Sequence, residues 1–229
     1  MNQKDLRTEA RKKKDSQPLA TGLKSGTAIQ NRGKAQARKI LAEARRLLIN
    51  AGFAGLSLRK IAKNLNISLG NLTYYFPSKD ALMRALISDL LDAYHQAMVS
   101  EQSRFPGNPH ARFRAYIDYL ISDCQNSDTR ALFFQIWGLA RNTKIVRDLR
   151  NEMYARFRAD VRPLIEPLLP GASRSGIDYR VGVLAAMIEG LHVIYDLDEN
   201  VLQLPADFAK RFRDAACQLI APNDNPGTT

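Results

Sequence analysis

Cysteine and histidine are scarce in this 229-residue chain, and neither is arranged for chemistry. Cys124 and Cys217 stand far apart, each in a helical pattern, which argues against a disulfide and reads as two small apolar residues of a reduced protein. His95, His110 and His192 are equally dispersed, without the spacing of metal ligands. No glycine-rich phosphate loop occurs, no serine sits in a nucleophile elbow, and neither cysteine has a base within motif distance. Neither an enzyme nor a cofactor is therefore expected. There is no run of 18 apolar residues, so no membrane-spanning helix is expected. The first residues are too polar for a secretory signal, and the expected location is the cytoplasm. No segment alternates with period two and no internal repeat is found, so no sheet is expected.

Acidic residues are the other shortage. Against 34 Lys and Arg stand 23 Asp and Glu, a net charge of +11. The imbalance is concentrated: residues 1–39 hold eleven basic residues and only Asp5, Glu9 and Asp15, a local net of +8. Such a concentration attracts a polyanion through a salt-dependent term that is blind to sequence. Residues 1–31 lack helical periodicity and are rich in Lys, Ser, Thr, Gln and Gly. They are expected to form a disordered basic arm that reaches the backbone or minor groove of a duplex.

What the chain does contain is clearest over residues 57–79, S-L-R-K-I-A-K-N-L-N-I-S-L-G-N-L-T-Y-Y-F-P-S-K. Ser57 can cap a helix on which Leu58, Ile61, Ala62 and Leu65 recur at helical spacing. Asn66 suits a turn, because asparagine tolerates positive φ. Ser68 can cap a second helix with Leu69, Leu72 and Phe76 on its apolar side, and Pro77 stops it. This is a helix-turn-helix pattern. The groups between its apolar positions are Asn71, Thr73, Tyr74 and Tyr75, which suit the edges and walls of a DNA groove. An amphipathic helix precedes the pattern, with Ile40, Leu41, Ala44, Leu47, Leu48 and Ala51 as its stripe and Gly52 as its C-cap. Another opens at Ser78.

From about Lys34 to Leu86 this block resembles the DNA-binding domain of the TetR family of one-component transcriptional regulators. The resemblance is carried by A-G-F-A-G-L-S-L-R-K-I-A (51–62), I-S-L-G-N-L (67–72) and Y-F-P-S-K-D-A-L (75–82). It spans three helices and the start of a fourth in order. It implies a recognition helix that enters the major groove near its N-terminal end, with Leu69, Asn71 and Thr73 at base edges. Asn71 can pair both ways with adenine, and the methyls of Leu69 or Thr73 can meet a thymine methyl. Gly70 lets the backbone come close. By the same resemblance Tyr75 and Lys79 touch phosphate, as do Ser57 and Arg59, and Arg59 is placed within reach of a guanine. Ser68 and Tyr74 complete the expected DNA-binding set. One departure stands out: the family commonly has an aromatic residue after the position of Leu72, where this chain has Thr73 followed by two tyrosines.

Beyond this block the chain reads as helices throughout. The expected fold is all-α, about nine helices. The expected domains are the arm (1–31), the helix-turn-helix domain (32–79), a larger helical regulatory and dimerisation domain (80–222) and a flexible tail (223–229). Pro163 and Pro167 should kink or close a long helix that starts near Lys144. Gly182, Ala186 and Gly190 are spaced by four on an apolar helix, a stripe without bulk that invites close helix packing. Either a contact within one subunit or a dimer accounts for it. The resemblance favours the last two helices, with Phe212, as the interface of a homodimer reading a palindromic operator in double-stranded DNA. Tyr116, Phe133, Trp137, Met153, Phe157 and His192 lie on helices expected to surround one region. They are the candidate lining of a pocket for a small hydrophobic or amphipathic effector, or else plain core. The combined expectation is a ligand-responsive repressor. The alternative is an architectural or weakly specific DNA-binding protein without effector.

Overall fold

The computed structural model describes residues 21–221, with side chains from residue 31. Among the described residues there are nine α-helices and no strand. They are α1 (Thr21–Gly55), α2 (Leu58–Asn64), α3 (Leu69–Tyr75), α4 (Lys79–Ser103), α5 (Pro109–Cys124), α6 (Ser127–Asn142), α7 (Lys144–Ile165), α8 (Arg174–Ile194) and α9 (Phe208–Leu219). A 3-10 turn, Glu166–Leu168, follows α7.

α1 begins at Thr21, inside the stretch expected to lack structure, so that expectation is corrected for residues 21–31. Its remainder, residues 1–20, lies outside the described residues, as does the expected tail. The physical reason is propagation. The amphipathic stretch that follows supplies the costly nucleus, and each further turn then adds hydrogen bonds without a second nucleation. Ala44, Leu47 and Leu48 of the predicted stripe are buried, whereas Ala51 is exposed. Gly52 takes φ 62, the left-handed conformation foreseen for a C-cap, and breaks the helical path before Gly55.

The helix-turn-helix is closed by local chemistry. Ser57 Oγ accepts the Lys60 N–H at 3.1 Å, and Ser68 Oγ accepts the Asn71 N–H at 3.0 Å. Asn66 sits at φ 52, and across the turn the Ile67 N–H reaches the Ala62 carbonyl at 3.0 Å. Leu56, Ile61, Ala62, Leu72 and Phe76 are buried and hold the unit together.

The larger core is formed by α5, α7, α8 and α9. Asn108 caps α5 through the Ala111 N–H at 3.0 Å, with Pro109 at the first turn as its sequence predicts. Phe113, Ile117, Val161, Ile165, Leu184 and Ala216 are almost wholly buried there. α4 meets this core with Met98 and Tyr94. α7 runs past Pro163 to Ile165 and passes into the 3-10 turn that contains Pro167.

Candidate DNA interface and effector cavity

α3 leaves side chains exposed at both ends. Leu69 is 39% exposed and Tyr74 83%, large apolar area left in water on a seven-residue helix. Ser68, Gly70 and Asn71 are exposed beside them, and Ser57 and Arg59 are exposed at the start of α2. Thr73 spends its hydroxyl proton on the Gly70 carbonyl at 3.2 Å. The Tyr74 and Tyr75 rings meet edge to face at 5.2 Å, which fixes their mutual orientation. Gly70 has no left-handed backbone, and a Cβ added there would meet only Ser68 Oγ at 3.9 Å. Nothing within the protein therefore demands a glycine at this position.

Lys79, expected at a phosphate, is placed differently. Its ammonium donates to the Phe53 carbonyl and stands 3.5 Å from the centroid of the Phe53 ring. Burial pushes its pKa down. The group ties the start of α4 to the end of α1.

The candidate effector residues converge on a narrow cavity of about 70 Å³ enclosed by α4 to α8. Tyr116, Phe133, Met153, Phe157 and His192 line it, five of the six expected. Trp137 is set behind that wall. Its ring lies 5.6 Å from Phe133 and 5.3 Å from His192, and its indole N–H donates to the Tyr154 hydroxyl at 3.1 Å.

The polar side of the cavity was missed by pattern reading. Tyr94, Asp123, Tyr154, Asp160 and Glu189 all line it. The Tyr94 hydroxyl donates to Asp123, which also accepts from the Thr129 hydroxyl at 3.2 Å. Asp160 lies 3.0 Å from His95 Nδ1. The Tyr154 hydroxyl donates to Glu189 Oε1 at 2.7 Å, while Glu189 Oε2 is buried with no partner. Burial raises the Glu189 carboxyl to about 7, partly offset by the Tyr154 hydrogen bond. Burial likewise lowers His192, favouring a neutral ring, and raises the Cys124 thiol to about 12. One signal could have found Glu189: it is the only charged residue in the apolar run from Val181 to Ile194. The cysteines are free thiols, Cys124 buried and Cys217 half-buried.

The dimer candidates behave as an open face. Gly182 and Ala186 are exposed, Gly190 is half-buried, and a Cβ added at Gly182 or Gly190 would meet nothing within 4 Å. Val193, one turn on, is 47% exposed. A close contact inside one subunit does not account for the stripe. Phe212 is half-buried, with its ring 6.3 Å from Phe208.

No helix among the described residues is long and apolar enough to cross a membrane. Residues 40–86 match the model of the bacterial regulatory proteins of the tetR family, and residues 109–221 match the BetI-type transcriptional repressor C-terminal model. The regulator BetI of Burkholderia mallei is 26% identical over 178 residues, which cover 77% of this chain and 89% of BetI. A putative transcriptional regulator from Pseudomonas aeruginosa has a similar fold, with a TM-score of 0.66 at 16% identity, covering 82% of this chain and 89% of that one. So does a putative transcriptional regulator from Saccharomonospora viridis solved in complex with choline, with a TM-score of 0.58 at 19% identity, covering 82% and 96%. With a capped helix-turn-helix followed by a helical domain around a cavity, and matches to both, this chain belongs to the TetR family of DNA-binding transcriptional regulators, which are not enzymes.

Proposed function

We propose that the protein is a homodimeric repressor that holds a palindromic operator through the N-terminal end of α3 and leaves it when a small hydrophobic or amphipathic effector enters the cavity. The observation that carries this reading is a shared helix. Phe133 of α6 lines the cavity, and Gln135, two residues on, lies beside the end of α1: its Oε1 is 3.2 Å from where a Cβ on Gly52 would sit. A ligand that shifts α6 therefore acts on the junction with the DNA-binding unit. Such a ligand alters DNA affinity only through different affinities for the two arrangements. The choline held by the Saccharomonospora viridis regulator supports a small organic molecule as the effector class.

The exposed stripe of Gly182, Ala186 and Val193 supports α8 as the face that meets a second subunit. Two subunits are needed to read two half-sites about 34–36 Å apart, or a multiple of that. Binding-site selection from random duplexes tests the reading. The expected product is an inverted repeat, and Asn71→Ala relaxes preference at one base pair per half-site, worth about 1–3 kcal/mol of discrimination. Enrichment of no sequence, with a steep salt dependence, would instead favour the architectural alternative.

A further inference from the structure

Apolar packing alone does not fix how the helices of the head are turned. Leu48 of α1, Ile61 of α2 and Leu72 of α3 are wholly buried, but apolar burial has no direction. It holds helices together and leaves their rotation open. Hydrogen bonds are directional and close that freedom. Among the described residues, one side-chain hydrogen bond joins α1 to α2: Asn64 Nδ2 donates to Glu43 Oε1 at 2.7 Å, across 21 residues of sequence. The polar ties of α3 stay local, from the Asn71 N–H to Ser68 Oγ and from the Thr73 hydroxyl to the Gly70 carbonyl.

Glu43 is itself held rigid. Its side chain is 12% exposed, and the Arg46 guanidinium grips both of its oxygens, Nε at 2.8 Å and Nη2 at 2.7 Å. Such a fork is planar and fixes the orientation of the carboxylate. Hydrogen bonding from Arg46 also lowers the Glu43 pKa and keeps the group ionised.

Asn64 is the last residue of α2, and the path from there to α3 is stiff. The Leu65 N–H reaches the Ile61 carbonyl at 3.0 Å, Asn66 takes φ 52, and the Ile67 N–H reaches the Ala62 carbonyl at 3.0 Å. Ser68 then caps α3. A displacement of Asn64 is therefore passed on to Leu69 and Asn71. A displacement of about 1 Å is enough to stretch a hydrogen bond beyond the length at which it counts as one.

We propose that Glu43 is a positioning residue for sequence reading: through Asn64 it sets the angle at which α2 packs on α1, and with it where the first turn of α3 meets base edges. This rests on α3 as the reading helix, as proposed above, and adds a residue that acts without touching DNA.

The test exchanges donor and acceptor at constant size. Asn64→Asp sets two carboxylates against each other and breaks the tie. Adding Glu43→Gln restores it with reversed polarity, the amide now donating to the carboxylate, and returns the pair to its original charge. Each full-length variant is measured against a duplex that the unaltered protein selects from random sequences, and against a scrambled duplex of the same length, at one salt concentration. The readout is the ratio of the two affinities, with the melting temperature alongside. Asn64→Asp is expected to lower the ratio about tenfold, and the double variant to return it to within about threefold of the unaltered protein, the range of coupling within one hydrogen-bond network. Asn64→Ala removes the donor alone and should also lower the ratio. A purely structural tie would move the melting temperature and leave the ratio alone, and that result overturns the proposal. So does a ratio that stays low in the double variant. Asn71→Ala in the same assay keeps the two readings apart. If it lowers the ratio while Asn64→Asp does not, only the positioning role falls. If it leaves the ratio unchanged, α3 is not the reader, and the positioning role falls with it.

Discussion

Gly70→Ala separates a demand made by the protein from one made by DNA. The residue stands in the first turn of α3 with ordinary helical backbone, and an added Cβ would have only Ser68 Oγ near it, at 3.9 Å. Alanine should therefore fit the free protein. It also removes chain entropy from the unfolded state, for a gain of about 0.5 kcal/mol at a helix end, at the low end of the interior range. In a chain of this size that raises Tm by about 1–2 °C. Against a duplex the same methyl stands where the backbone should approach the groove, and it lifts Asn71 from its base. If that bidentate contact is weakened, affinity falls by about 1–3 kcal/mol, or about fivefold to 150-fold. Calorimetric melting and fluorescence anisotropy on a selected operator measure the two effects on one sample. A more stable protein with unchanged operator affinity would refute the close approach. A less stable protein would refute the claim that the site is open.

Lys79→Ala should lower stability by about 1–2 kcal/mol, because it removes the hydrogen bond and the ring contact to Phe53. The slope of log affinity against log salt should stay unchanged; a slope shallower by about one unit would return Lys79 to a phosphate. Glu189 makes stability depend on pH. The unfolded carboxyl releases its proton near 4.5 and the folded one near 7, so between those values the folded chain binds the extra proton. Stability therefore falls as pH rises through that window, by up to about 3 kcal/mol, and levels off above it. Urea melts should show that difference from Glu189→Gln, and parallel curves for the two proteins would contradict it. Gly182→Leu should give a monomer in sedimentation velocity without loss of helix, since nothing inside the subunit meets a side chain there; an intact dimer would move the interface elsewhere. Deleting residues 1–20, which include six Lys and Arg, should weaken operator binding and flatten its salt slope.

What could be read from the chain was mostly local. Ser57, Ser68, Ser78 and Asn108 each cap the helix that follows, because a cap is a contract between residues three apart. Asn66 and Gly52 took the positive φ that their residue types permit. The aromatic lining was legible for the same reason: helical spacing tells which side chains face inward. It did not tell how far inward each one reaches. Trp137 falls behind the wall, since Phe133 on the same helix takes the place at the cavity. The contact of Lys79 was not legible, because its partner, Phe53, is 26 residues away, and no pattern within one helix reports such a meeting. Glu189 needed Tyr154, 35 residues earlier, for its role to show. Burial of a polar group is a property of the assembled helices. Sequence hints at it only when a lone charge interrupts an apolar run.

The clasp between Lys79 and Phe53 turns α4 into a lever. Tyr94, at the cavity, lies fifteen positions beyond Lys79 on the same helix. At 1.5 Å per residue the arm is about 22 Å long. Tilting it by about 5° swings its far end by about 2 Å, comparable to the reach of a hydrogen bond. Under the proposed effector reading, a guest that displaces Tyr94 by about 2 Å would rotate the head clasped at the other end of the helix by about 5°.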